Sequence, residues 1–136
     1  MNLSPHFTMA EMTFSQTATR DKIGNWPPTD IETQNLHRLA LALEQVRSIF
    51  DRPVRITSGY RSPELNHLIG GSEKSQHMHG LAADFIIPGV SVPDIWAEIK
   101  VSDIQYDQLI NEYERWVHMS IAASTTTPRR QAFKIG

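Results

Sequence analysis

Ser75-Gln76-His77-Met78-His79-Gly80-Leu81-Ala82-Ala83-Asp84 brings two histidines and an aspartate together within ten residues, spaced by a glycine and small side chains. A further imidazole follows in Trp116-Val117-His118. Two imidazoles and one carboxylate, with a coordination position left open, form a common donor set for a catalytic zinc ion. The chain has no cysteine, so a disulfide framework, a thiolate site and a cysteine nucleophile are excluded. Any metal must therefore be held by imidazole and carboxylate, both of which have free lone pairs at neutral pH.

Outward from this stretch, periodicity sets the fold. From Leu81 the pattern is that of a strand, with Ala83, Phe85 and Ile87 on one face and Ala82 and Asp84 on the other. Asp84 then points opposite the apolar face, and Pro88-Gly89 ends the strand. Residues 91–100 are expected to form an amphipathic helix with Val92, Ile95, Trp96 and Ile99 inward. Residues 104–112 and 116–121 form two further strands, joined by Tyr113-Glu114-Arg115 into an antiparallel hairpin. In the second of these, Val117, Met119 and Ile121 share one face while Trp116, His118 and Ser120 share the other. The parity that aims Asp84 away from the core aims His118 the same way.

Upstream, Thr8 and Glu11 have the spacing of a capping box for a short helix within an irregular arm of residues 1–28. Phe7, Met12, Phe14 and Trp26 are expected to cover one side of the core. Thr29 and Glu32 repeat the spacing and open the longest helix, to about residue 50. Its apolar stripe runs through Ile31, Leu36, Leu39, Leu43, Val46 and Phe50 or Ile49. His37 falls off that stripe and is expected to be a solvated helix-face residue. Residues 53–57 form a short strand, and Ser62-Pro63 starts another helix that stops at Gly70-Gly71. The tail, residues 122–136, is expected to be extended, with Arg129 and Arg130 as a solvated edge. Irregularly alternating helices and strands, closed by a hairpin, indicate an α+β domain with a small antiparallel sheet packed against helices.

The bulk numbers are those of one ordinary domain: 136 residues, 40% apolar, 21% charged and a net charge of -2. With a pI near 6.3, neither nucleic acid nor an anionic membrane is expected as a partner. No apolar run approaches the roughly 20 residues of a membrane span. The N-terminus lacks a basic region followed by an apolar one, so synthesis in the cytoplasm without a signal peptide is expected. The chain is expected to be a monomer.

Ser75-x-His77-x-x-Gly80-x-Ala82-x-Asp84 followed by Trp116-x-His118 resembles the signature of the zinc D-alanyl-D-alanine carboxypeptidase family. Ser58-Gly59-Tyr60-Arg61-Ser62-Pro63, Leu65-Asn66, Gly70-Gly71-Ser72 and Asp107-Gln108-Leu109-Ile110 resemble its short, phage-endolysin branch. The similarity covers roughly residues 3–121. It implies the Hedgehog/DD-peptidase fold, with His77, Asp84 and His118 as ligands of Zn2+. It also favours His77 over His79 as the loop ligand, because His77 has the family's separation from Asp84. Many relatives carry the general base three residues before the last histidine, where this chain has Arg115. The short branch instead implies Glu112, with Glu114 as the other candidate. A Glu112–Trp116 cross-strand pair would put Glu112 on the face of His118, together with Ile110 unless a bulge intervenes.

By the same resemblance, Arg61 is expected to bind substrate carboxylate or polarise the scissile carbonyl. Ser75 and Gln76 are expected to hydrogen-bond the peptide or orient the ligands. The implied substrate is a peptidoglycan peptide, cut by a carboxypeptidase or endopeptidase that reaches the wall after holin or virion delivery. The sequence also allows two other readings. One is a phage structural or binding module that keeps the fold without turnover; the other is a closed zinc site with His79 as fourth ligand.

Overall fold

The computed structural model describes residues 1–136. Short strands β1 (Asn2–Ser4) and β2 (Phe7–Thr8) pair antiparallel and lead into helix α1 (Met9–Thr13). Thr8 and Glu11 close the expected capping box. A second short helix, α2 (Gln16–Arg20), follows behind a Ser15 cap. The arm is therefore more ordered than the sequence indicates. Phe7 and Met12 are buried as expected, but Phe14 and Trp26 are 66% and 61% exposed and cover no part of the core.

Helix α3 (Asp30–Phe50) begins at the Thr29–Glu32 capping box and ends at Asp51, which takes a left-handed conformation. Leu36, Leu39, Leu43 and Val46 are fully buried. Each contributes about 1.5–3 kcal/mol relative to an exposed position. Ile31, assigned to this stripe from sequence, is instead exposed in the first turn. His37 is not purely solvated, since its Nδ1 lies 3.0 Å from the Leu3 carbonyl.

Strand β3 (Arg55–Ser58), helix α4 (Pro63–Leu68) and a 3-10 turn (Gln76–His79) lead to β4 (Ala82–Ile86). Helix α5 (Val92–Lys100) crosses over to the hairpin of β5 (Gln108–Glu112) and β6 (Trp116–Ser120). The main sheet has the order β3-β4-β6-β5-β7, where β7 is Gln131–Ile135. Neighbours among β3, β4, β6 and β5 are antiparallel, whereas β7 runs parallel to β5. The sheet is thus mixed. Ala83, Phe85, Ile87, Val117 and Met119 face α3 and α5 in a single core, which leaves Asp84 and His118 on the opposite face.

The tail corrects its sequence-based expectation. Residues 131–135 are indeed extended, but they are paired as an edge strand rather than free. Arg130 is not a solvated edge either. Its guanidinium bonds the Ile104 carbonyl and the Ser102 carbonyl (3.1 Å), and it stacks 4.5 Å from the Tyr106 ring centre. The segment before β5, expected to be strand from residue 104, is loop as far as Asp107.

Candidate metal centre

Asp84 lies in the middle of β4, directly opposite His118 of β6 and one strand from Ser58 of β3. Two flanking strands therefore fix its backbone. His77 comes from the 3-10 turn, whose first backbone N–H groups are capped by Ser75: the Ser75 hydroxyl accepts from His77 N at 3.2 Å. The imidazole is oriented from the other side by the Gly59 carbonyl, which accepts from His77 Nδ1 at 2.7 Å. Gly59 is required there, because a Cβ would stand 2.4 Å from the Met12 carbonyl oxygen.

A carbonyl can only accept, so the His77–Gly59 bond places the proton on Nδ1 and leaves the Nε2 lone pair free. That nitrogen faces Asp84 Oδ1 at 3.4 Å, and His118 Nδ1 faces the same oxygen at 2.9 Å. One donor atom from each of His77, Asp84 and His118 lies within 4.8 Å of the others. Electron-rich atoms this close demand positive charge among them, from a proton or a metal ion. Tetrahedral zinc with bonds of about 2.0–2.1 Å keeps its ligands about 3.3–3.4 Å apart, close to the observed His77–Asp84 spacing. The donor set fits zinc, and His77, Asp84 and His118 are the residues that could hold it.

Burial alone would raise the pKa of Asp84, but the adjoining His118 and His77 outweigh it and hold the carboxyl well below its usual range. Asp84 is therefore an anion throughout the neutral range. Its second oxygen lies 3.5 Å from Arg61 Nη2. Arg61 is also held by Ser58 Oγ at Nε and by Asn66 Oδ1 at Nη1, each at 3.3 Å. All three of its nitrogens are thus engaged, and the guanidinium is a fixed cation beside the triad. Burial lowers its pKa, opposed by the charges of Asp84 and Glu112.

The triad sits in an open cleft of about 510 Å³ that Arg61, Ser75, Gln76 and Glu112 also line. Glu112 Oε1 is 3.6 Å from His118 Nδ1, whereas Glu114 is exposed in the hairpin turn and lines no part of the cleft. The Ile110–His118 and Glu112–Trp116 pairs are in unbroken register, so the bulge considered between Ile110 and Glu112 is absent. Ile110 simply forms part of the cleft wall. His79 is exposed and lines a different cleft with Glu32 and Tyr60. It does not join the other three donors, which removes the closed four-ligand arrangement.

Sequence reasoning missed Asp107 and Arg129. Arg129 reaches the cleft and forms a bidentate pair with Asp107, at 3.0 Å from Nε to Oδ1 and 2.5 Å from Nη2 to Oδ2. Gln76 Nε2 donates to the same carboxylate at 3.0 Å, and the buried Gln76 Oε1 has no protein partner. Asp107 was legible only as part of a motif, and nothing local to Arg129 marks it.

A comparison with curated proteins finds no match. The family model described as Peptidase M15 matches residues 5–120, a span that contains the triad, Arg61 and Glu112 and leaves out the tail. The resemblance drawn from the motifs is borne out over that length: the chain belongs to the peptidase M15 family, whose members are zinc-dependent peptidases.

Proposed function

We propose that this metallopeptidase hydrolyses an amide bond in peptidoglycan peptides, as a D,D-carboxypeptidase or an endopeptidase, and serves as a phage or prophage lysin. The observation that carries the reading is the carboxylate of Glu112, 3.6 Å from His118 Nδ1 in the cleft of the triad. A noncatalytic module would be favoured by the absence of a carboxylate at Arg115, but Glu112 supplies one from the preceding strand.

When bound, zinc supplies Lewis-acid polarisation of a carbonyl and lowers the pKa of a water ligand towards about 7. The chain's own residues do the rest. Glu112 would be the base placed to accept a proton from the attacking water and to return one to the leaving amine. Arg61, fixed at all three nitrogens, offers a preorganised cation to the scissile carbonyl or to a substrate carboxylate without reorganising. Ser75 holds His77 in place by capping its turn, which favours its orienting role over direct peptide contact. Gln76 is anchored to Asp107 on the cleft wall. The lysin reading further implies that the protein reaches the wall after release from the cell in which it is made.

The test is digestion of purified sacculi, with new amino groups counted. Zinc-loaded wild type should release amines, and chelator should abolish the release. Glu112→Ala should retain zinc and lose about 10²–10⁴ in rate. No release by the zinc-loaded wild type, or release indifferent to chelator, would end this reading.

A further inference from the structure

Residues 122–136 lie beyond the family match, yet they send one side chain into the cleft, that of Arg129. Its guanidinium is not free to wander. Nε spans both Asp107 oxygens at 3.0 and 3.1 Å, Nη2 binds Oδ2 at 2.5 Å, and the Arg129 backbone N–H bonds Oδ1 at 2.9 Å. Asp107 is itself buried and further tied to Gln76. Nη1 has no protein partner, and the side chain is 51% exposed. The result is a clamped guanidinium on the cleft wall with one nitrogen left to donate to a carboxylate.

Its position along the cleft follows from strand register. Gln108, Ile110 and Glu112 alternate onto the cleft face of β5, and Ile110 pairs with His118. Arg129 is bound to Asp107, next to Gln108, at the opposite end of β5 from Glu112. At about 3.3 Å per residue, that end lies roughly 7 Å along the strand from the His118 level. An extended peptide spans that distance in about two residues. Lys74, which is exposed, also lines the cleft and adds a further cation.

We propose that Arg129 is a specificity residue that binds a carboxylate of the substrate about two residues from the amide cleaved. The proposal rests on the peptidase reading above. The carboxylate has two possible sources, the substrate's C-terminus and an acidic side chain.

The experiment uses the full-length zinc-loaded protein and a synthetic stem pentapeptide containing glutamate, in three forms: unmodified, C-terminally amidated, and with the glutamate carboxyl amidated. kcat/KM is measured for wild type, Arg129→Gln and Arg129→Lys, and calorimetric Kd values are measured on the same proteins carrying Glu112→Gln. One amidation should weaken wild-type kcat/KM and binding about tenfold, and which one does so identifies the source. Arg129→Gln should erase that discrimination, cleaving and binding the unmodified and the amidated peptide equally. Arg129→Lys, which keeps the charge beside Asp107, should retain part of it. Equal losses on all three peptides, or undiminished discrimination in Arg129→Gln, would refute the role of Arg129 while leaving the peptidase reading intact. A wild type that neither binds nor cleaves any of the peptides would overturn both.

Discussion

Gly80→Ala tests how the helix behind the site sets the position of the loop ligand. Gly80 has φ +72 and ψ 22 and ends the 3-10 turn that carries His77. An L-residue in this region costs about 1–2 kcal/mol on backbone grounds alone. The added methyl would also stand 2.6 Å from the Glu32 carbonyl oxygen and 3.0 Å from Leu36 Cγ, both in α3. Glu32 O is backbone in the first turn of a packed helix, so it cannot swing aside, and overpacking of this kind costs about 1–3 kcal/mol more. The total is about 2–5 kcal/mol. Gly70 is the internal control: its φ is +76, but nothing lies within 4 Å of a Cβ there. Gly70→Ala should therefore lose only the backbone part. Urea unfolding of the two variants isolates the contact as the difference between them, about 1–3 kcal/mol. Gly80 N also bonds the carbonyls of Gln76 and His77, so displacement of the turn should weaken zinc affinity in Gly80→Ala and spare it in Gly70→Ala. Equal destabilisation of both variants would show that α3 does not press on the turn, and the reasoning would fail.

Two further outcomes follow from the network around the cleft. The paired Arg129 holds the Asp107 carboxyl below its ordinary value of 3.8. A depressed carboxylate pKa gives stability that is fully present above that ordinary value and is lost as pH falls through the folded-state value. Asp107→Asn should thus flatten this part of the acid limb and cost about 1–2 kcal/mol near neutrality, discounted because Arg129 is half exposed; an unchanged acid limb in urea titrations would contradict it. His118→Ala should abolish stoichiometric zinc binding, whereas His79→Ala should leave it intact, as measured by metal analysis after dialysis; loss of zinc in His79→Ala would mean that the wrong loop histidine has been assigned.

Much of this was legible because parity in strands and caps on helices are local. Asp84 and His118 could be aimed from alternation alone, since β4 and β6 each bury one face against α3 and α5 and a one-residue slip would bury the carboxylate in the core. The Thr8 and Thr29 capping boxes fixed two helix starts for the same reason, as every group involved lies within four residues. Errors arose where the outcome depends on what lies opposite. Ile31, Phe14 and Trp26 have the composition of core residues, but the side of α3 that carries Ile31 and the parts of the arm that carry Phe14 and Trp26 are left exposed. Sequence records the hydrophobicity of a side chain, not whether a neighbour exists to cover it.

Ile110 and Arg129 show the two ways in which a cleft wall escapes such reasoning. Strict alternation puts Ile110 on the site face, and only a bulge would take it off. The unbroken register keeps Ile110 there, as part of a cleft wall that can receive the apolar parts of a peptide. Arg129 escaped for the opposite reason. A polar tail with two adjacent arginines is what a solvated edge looks like, and only the parallel pairing of β7 with β5 brings this one to Asp107, 22 residues earlier. That pairing closes a loop rather than a turn, so it leaves no periodic trace near Arg129. The ligands could be found because they belong to strands and a capped turn, whereas the residue proposed to choose the substrate arrives on a segment whose place is set wholly by tertiary contact.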